Sequence, residues 1–253
     1  MASEAPAALF QVGRVSDTGP GSLVVELPSW PGHVPGQFAM LTLDPTGTSQ
    51  DPLLPRPMAV FRGDASGLEF RYHVVGRGTA RMAELRSGDA LGVLGPLGRG
   101  FPALDAPALL VGGGTGIASL YEVAARAPSD VRVFLGARSA SAVLGLECFR
   151  ELGVPLEITT EDGSLGFTGR VTDRLHPKPG EWVLACGPTA MMREVHRIAA
   201  RAGARCLVSL ESPMACGVGI CLGCAVPTSK GFRYVCTDGP VFDAEGLVWD
   251  GLA

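Results

Sequence analysis

The sequence predicts a mixed β and α/β protein. It divides into an N-terminal antiparallel six-stranded β-barrel over residues 1–103, a five-stranded parallel α/β unit over 104–208, and a small C-terminal unit over 209–253. Three observations carry this reading. Short β-rich runs punctuated by Gly and Pro fill the first hundred residues; strand and helix patterns alternate from about residue 107; and cysteines crowd the last forty.

The six β-rich runs are "ALFQVGRV", "SLVVEL", "QFAMLTL", "PMAVFR", "LEFRYHVV" and "DALGVLG", separated by turn signals such as "DTGPGS" and "GDASG". No helical periodicity competes there. The second unit reads "PALLVG" (strand), "GIASLYEVAARA" (helix), "VRVFLG" (strand) and "SASAVLGLECFREL" (helix), then "PLEITT", "FTGRVTDRL", "EWVLAC", "TAMMREVHRIAARAG" and "RCLVSL". In the last helix Met191, Val195, Ile198 and Ala202 recur at helical spacing, with Thr189 placed to cap its start and Gly203 to end it. Such alternation implies a parallel sheet covered on both faces, with ligands beyond the carboxyl ends of its strands.

Composition removes several classes of function. Hydrophobic residues make up 46% of the 253, enough for a large core, and a net charge of −4 without any Lys/Arg run argues against nucleic-acid binding. The opening "MASEAPAALFQVGRV" has neither a basic nor a continuous apolar segment, and nowhere do eighteen apolar residues run together, so a cytoplasmic protein without a membrane span is expected. In that compartment seven cysteines favour metal or redox roles over disulfides.

In "ESPMACGVGICLGCAV" Cys216, Cys221 and Cys224 are spaced C-x4-C-x2-C, and Cys236 follows after eleven residues. This is the spacing of a plant-type [2Fe–2S] centre. Gly217, Gly219 and Gly223 would allow positive φ and close backbone approach, turning N–H groups toward the thiolates. A four-cysteine structural zinc site is the alternative, although only Cys221 and Cys224 form a knuckle-type pair. Cys148 and Cys206 read as small core residues, whereas Cys186 opens "CGP" at a strand end.

"ALLVGGGTGIASLYEVA" is a strand, a glycine-rich turn and a helix, in which Gly112, Gly113, Gly114, Thr115 and Gly116 suit a pyrophosphate. The strict G-x-G-x-x-G pattern is not met. A tight strand-to-helix connection is the bland reading, and Arg138 and Ser139 after the next strand leave NAD versus NADP open. In the barrel half, Arg56 beside Pro57 and the "GRGT" turn with Gly76, Gly78 and Thr79 are phosphate-sized signals. His33, His73, His176 and His196 show no ligand spacing.

The order of "RPMA", "GRGT", "GDALGVLGPLGRGF", "VGGGTGIA", "TEDGS", "CGP", "SLESPMACGVGICLGC" and "VCTDGPVFDAEGLVW" resembles the electron-transfer subunit of class 1B dihydroorotate dehydrogenase, within the ferredoxin–NADP reductase superfamily. The resemblance covers nearly the whole chain. It implies FAD in the barrel, NAD against the parallel sheet at the glycine-rich turn and at Cys186, Gly187 and Pro188, and a [2Fe–2S] cluster held by Cys216, Cys221, Cys224 and Cys236. Arg56, Pro57, Met58 and Ala59 match the first flavin segment; Arg71, Tyr72 and His73 the second; Gly78 and Thr79 the third. One departure is Ala59, where the motif usually has Ser or Thr, so a hydroxyl able to bond the flavin ring is missing. The implied partner is an FMN-containing dihydroorotate dehydrogenase catalytic subunit, joined in a dimer of heterodimers. The implied role is an NAD-linked oxidoreductase subunit of pyrimidine biosynthesis, with no catalytic acid or base of its own. A flavin/iron–sulfur subunit of a hydrogenase or of a ferredoxin-dependent transhydrogenase would share this organisation.

Overall fold

The computed structural model describes residues 8–19, 21–48, 51–127 and 129–252. Residues 1–7 of the opening segment and Pro20 of the "DTGPGS" turn lie outside the described residues.

The first half is one antiparallel sheet of seven strands: β1 (Leu9–Gly19), β2 (Ser22–Glu26), β3 (Phe38–Thr42), β4 (Arg56–Ala59), β5 (Arg62–Asp64), β6 (Gly67–Arg71) and β7 (Ala90–Leu97). Their order is β4-β3-β7-β1-β2-β6-β5. The count exceeds six because "PMAVFR" divides. Val60 and Phe61 are both buried but change partners: Val60 N–H bonds the Gln37 carbonyl beside β3, whereas Phe61 N–H bonds the Glu69 carbonyl of β6. That two-residue link joins β4 at one sheet edge to β5 at the other, and so draws the sheet round into the expected barrel shape. Helix α1 (Arg77–Ala83) follows β6.

The second sheet has the order β11-β10-β9-β8-β12-β13-β16. Its five main strands are parallel: β8 (Ala108–Gly113), β9 (Val131–Ala137), β10 (Leu156–Thr160), β12 (Trp182–Cys186) and β13 (Arg205–Ser209). The short β11 (Phe167–Thr168) extends one edge in parallel; β16 (Val241–Asp243) closes the other edge antiparallel to β13. The cysteine-rich tail thus contributes a strand to this sheet as well as its own hairpin, β14 (Ala225–Thr228) and β15 (Gly231–Tyr234).

The helices are shorter than their patterns. "GIASLYEVAARA" begins as a 3-10 turn over Gly114–Leu120 before α2 (Tyr121–Arg126), and only Leu146–Glu151 of "SASAVLGLECFREL" forms α3. Helix α4 (Thr189–Ala202) ends at Gly203 with φ 69°, as expected, whereas its start is set by Pro188 with no side-chain cap. Its buried stripe is Met192, Val195 and Ala199, with Met191 and Ile198 partly buried beside it.

The halves are joined by a buried polar network. The Trp30 indole donates to His33 Nδ1 at 3.0 Å, and His33 Nε2 lies 2.7 Å from Glu122 Oε2 on α2. Gly63 N–H and the Arg126 guanidinium also donate to that carboxylate. Phe61 stacks on Tyr121 at 4.3 Å between ring centroids, continuing the joint in apolar form.

Candidate functional site

Three concave regions meet where the halves and the tail converge. The first is a cavity of about 420 Å³ between the barrel and the carboxyl end of the parallel sheet. Pro57, Met58, Ala59, Arg71, Tyr72, His73 and Thr79 line it on the barrel side. Thr115, Ser119 and Ser209–Met214 line it opposite. Tyr72 is 2% exposed, and its phenol oxygen, though buried, has no hydrogen-bond partner; burial pushes its pKa up. A buried polar atom left unpaired at a cavity wall is one that a ligand can satisfy.

Arg56 does not line this cavity. Its guanidinium donates to the Leu54 carbonyl at 2.8 Å and lies against Gly78, where any Cβ would collide with it. A side chain at position 78 would displace the guanidinium from this place. The Thr79 hydroxyl is consumed locally: it accepts from Val75 N–H at 2.9 Å and donates to the Gly76 carbonyl at 3.0 Å, which closes the turn.

The second region is a cleft of about 760 Å³ beyond β8, β9 and β12, lined by Gly113, Gly114, Arg138, Glu161, Arg170, Pro188 and Met191. Gly114 has φ +55°. A Cβ on Gly116 would run into the Cys186 carbonyl and Gly187 N, so the glycine-rich turn and the "CGP" turn lie directly against each other. Gly112 is buried against Ile117, and Cys186 is buried in the core with its thiol 3.6 Å from Ser119 Oγ. Burial, and then the charge of Glu211, push that thiol up to about 12, so it is neutral at pH 7. Neither Gly112 nor Cys186 borders the cleft; Gly113, Gly114 and Pro188 line it, and Gly187 lines the smaller space beside it. His73 and Val75 line the 420 Å³ cavity and this cleft together.

Glu211 is the residue that sequence reasoning missed. It accepts from Thr115 Oγ1 at 3.3 Å and lines both the 420 Å³ cavity and a smaller space of about 440 Å³ beside the glycine-rich turn. Crowding by protein atoms raises its pKa, while the Thr115 hydroxyl opposes the rise. Its position just beyond β13 is the available signal, since residues at the carboxyl ends of parallel strands face ligands.

The third region holds the cysteines. The β14–β15 hairpin brings together two cysteines separated by eleven residues: Val235 N–H donates to the Cys224 carbonyl at 3.0 Å, and the Cys224 and Cys236 sulfurs are 3.3 Å apart and buried. Cys216 pairs instead with Cys221, accepting from its N–H at 3.4 Å and from Val218 N–H at 3.4 Å. Burial pushes the Cys216 thiol up, but these donors outweigh it and hold it at about 6. Burial and the neighbouring Cys224 thiol push Cys236 up to about 12. Gly217 and Gly219 take positive φ as expected; Gly223 does not, and Leu222 takes φ 59° in its place. Gly217 also lies against Met40 of the barrel, where a side chain would collide.

Among the described residues no group of three or more His, Cys, Asp or Glu side chains is arranged to hold a single metal ion. The thiols stand two and two, the donor set for a core with two irons and a cysteine pair at each. Cys221 is exposed, flanked by Val218, Ile220 and Leu222, of which Ile220 is 80% exposed.

Residues 211–248 match the family model for the iron–sulfur cluster binding domain of dihydroorotate dehydrogenase B. The dihydroorotate dehydrogenase B (NAD(+)) electron transfer subunit of Clostridium acetobutylicum is 35% identical over 217 residues, covering 85% of this chain and 86% of that one. The subunit of the same name from Bacillus caldolyticus is 41% identical over 243 residues, with 90% of each chain covered. The chain belongs to this family of electron transfer subunits. Its members' fold extends beyond them. The solved structure of an NADH-dependent reduced ferredoxin-NADP oxidoreductase, described for flavin-based electron bifurcation, matches with a TM-score of 0.77 at 28% identity, covering 100% of this chain and 93% of that one. The flavohem-like FAD/NAD binding domain of a Vibrio cholerae nitric oxide dioxygenase, 16% identical with a TM-score of 0.66, covers 80% of this chain and 99% of that one; it shares the fold.

Proposed function

We propose that this electron transfer subunit carries electrons from the FMN of a partner dihydroorotate dehydrogenase, by way of a [2Fe–2S] cluster and FAD, to NAD+ in pyrimidine biosynthesis. Cys216, Cys221, Cys224 and Cys236 would hold the cluster, the 420 Å³ cavity the flavin, and the glycine-rich turn with Gly187 and Pro188 the nicotinamide dinucleotide. When bound, nicotinamide exchanges hydride, the cluster single electrons and the flavin either, which is why a flavin belongs between the other two.

The observation that carries this reading is the shared walls. The flavin-sized cavity borders the glycine-rich turn through Thr115 and the approach to the cysteine loop through Glu211–Met214. The chain's own contribution is placement. Tyr72 offers a buried hydroxyl, and Thr115 and Glu211 form a polar pair able to hold a proton at Glu211 Oε1 or Oε2. Residues 1–103 form the flavin unit on this reading, 104–208 the nucleotide unit and 209–253 the cluster unit. The FMN-containing catalytic subunit would dock over exposed Cys221 and its apolar neighbours, in a cytoplasmic dimer of heterodimers.

An anaerobic visible spectrum before and after one equivalent of NADH tests this, with flavin, iron and sulfide assayed on the same sample. Flavin and cluster bands that bleach together are expected. A colourless chain containing zinc would overturn the reading. The likeness to the NADH-dependent reduced ferredoxin-NADP oxidoreductase favours a second reading, in which the same cofactors serve a hydrogenase or ferredoxin-dependent transhydrogenase. Co-purification with an FMN-containing barrel protein separates the two.

A further inference from the structure

Strand β6 buries a carboxylate on the barrel side of the flavin-sized cavity. Glu69 is 4% exposed, and its two oxygens meet different guanidiniums: Oε1 pairs with Arg71, two residues along the same strand, and Oε2 with Arg62 of neighbouring β5. Neither oxygen has any further hydrogen-bond partner. A carboxylate taken out of water is costly, and here only the two ion pairs compensate it.

The arginines are not equivalent. The Arg62 side chain is 52% exposed; that of Arg71 is 23% exposed and lines the cavity. Arg71 is fixed from three directions, by Glu69, by the Phe61 ring 5.3 Å from its guanidinium carbon, and by the end of β6. Its Nε is buried yet bonds nothing. A guanidinium carries five N–H donors in a rigid fork, so Arg71 keeps donors to spare after meeting Glu69.

The charges do not cancel. Two guanidiniums meet one carboxylate in this cluster, leaving one positive charge over, while Glu211 lines the opposite wall of the same cavity. A partly buried excess cation at a cavity wall fits an anion, and a guanidinium fits a phosphate best.

We propose that Glu69 is a positioning residue that aims the Arg71 guanidinium into the flavin cavity, where it takes a phosphate group of the dinucleotide flavin. This rests on the reading of that cavity as the FAD site. Arg62 completes the arrangement by occupying the second oxygen of Glu69, so that the carboxylate cannot turn away from Arg71.

Riboflavin has the ring system but no phosphate, which separates positioning from general loosening of the fold. FAD and riboflavin are titrated into flavin-stripped full-length chain, following flavin fluorescence, with Glu69→Gln, Arg71→Gln and the double variant beside the parent. Glu69→Gln is expected to raise the Kd for FAD about tenfold and that for riboflavin less than twofold. Arg71→Gln should do at least as much, and adding Glu69→Gln to it should change nothing further. Equal weakening of FAD and riboflavin, or additive effects in the double variant, would overturn the proposal. If Glu69→Gln fails to fold, Arg71→Gln alone decides, since loss of the phosphate-dependent part of the affinity is still required. A parent chain that binds neither flavin would instead remove the reading of the cavity itself.

Discussion

His33 Nε2 lies 2.7 Å from Glu122 Oε2, and this buried contact joins the barrel to the parallel sheet. Because the Trp30 indole can only donate, His33 Nδ1 must accept from it, which leaves the ring proton on Nε2 to bond Glu122. Glu122→Ala would leave the imidazole, the Gly63 N–H and the Arg126 guanidinium without this acceptor. We expect a loss of about 3–5 kcal/mol. Urea unfolding of the holoprotein measures it, and a change below about 1 kcal/mol would mean that the network is incidental to the joint.

Gly116→Ala places a methyl group where the Cys186 carbonyl stands. The two turns must separate, at a cost of about 1–3 kcal/mol. NADH binding should weaken together with stability, whereas flavin content stays near that of the parent. Isothermal titration with NADH beside a flavin assay reads both. Unchanged NADH affinity would show that the nucleotide does not depend on these turns.

Cys221→Ser removes the exposed member of the Cys216–Cys221 pair. Iron per flavin should fall from about two to near zero, because a two-iron core needs both cysteine pairs. Full iron content in this variant would move the fourth ligand elsewhere.

The cysteines should differ sharply in alkylation in cluster-free chain. Cys216, held at about 6, is mostly thiolate at neutral pH, so its rate with iodoacetamide should rise with a midpoint near pH 6 and level off by about pH 8. Cys186 and Cys206 are pushed up to about 12, in both cases first by burial, and remain protonated thiols at pH 8. They should react only after denaturation. Mass mapping of labelled peptides against pH checks this, and early labelling of Cys186 would contradict its burial.

Ile220→Glu puts a charge on the most exposed apolar side chain of the cysteine loop. Association with the FMN-containing partner should weaken at least tenfold, with iron and flavin content unaltered. Partner binding that ignores this change would place the docking surface on another face.

What the sequence determined by itself is what short-range chemistry encodes. The C-x4-C-x2-C spacing, the glycine-rich turn after a buried strand, and the change from β-rich runs to strand–helix alternation each depend on residues a few positions apart. The order of these signals along the chain was enough to name the family.

The tertiary structure decided what depends on distant contacts. Val60 and Phe61 split a run that reads as one strand, because Val60 N–H bonds the Gln37 carbonyl at one side of the barrel and Phe61 N–H the Glu69 carbonyl at the other. Arg56 reads as a phosphate-presenting residue, and the fold sets its guanidinium against Gly78 and the Leu54 carbonyl; Leu222 takes a left-handed conformation that its neighbour Gly223 was expected to supply. Glu69 and Glu122 look in sequence like ordinary surface acids, and Glu211 like the start of a loop. Their partners lie on other strands or in the other half of the molecule: Arg62 beside Glu69, His33 against Glu122, Thr115 against Glu211. A carboxylate becomes functional through what surrounds it, and only folding supplies those surroundings.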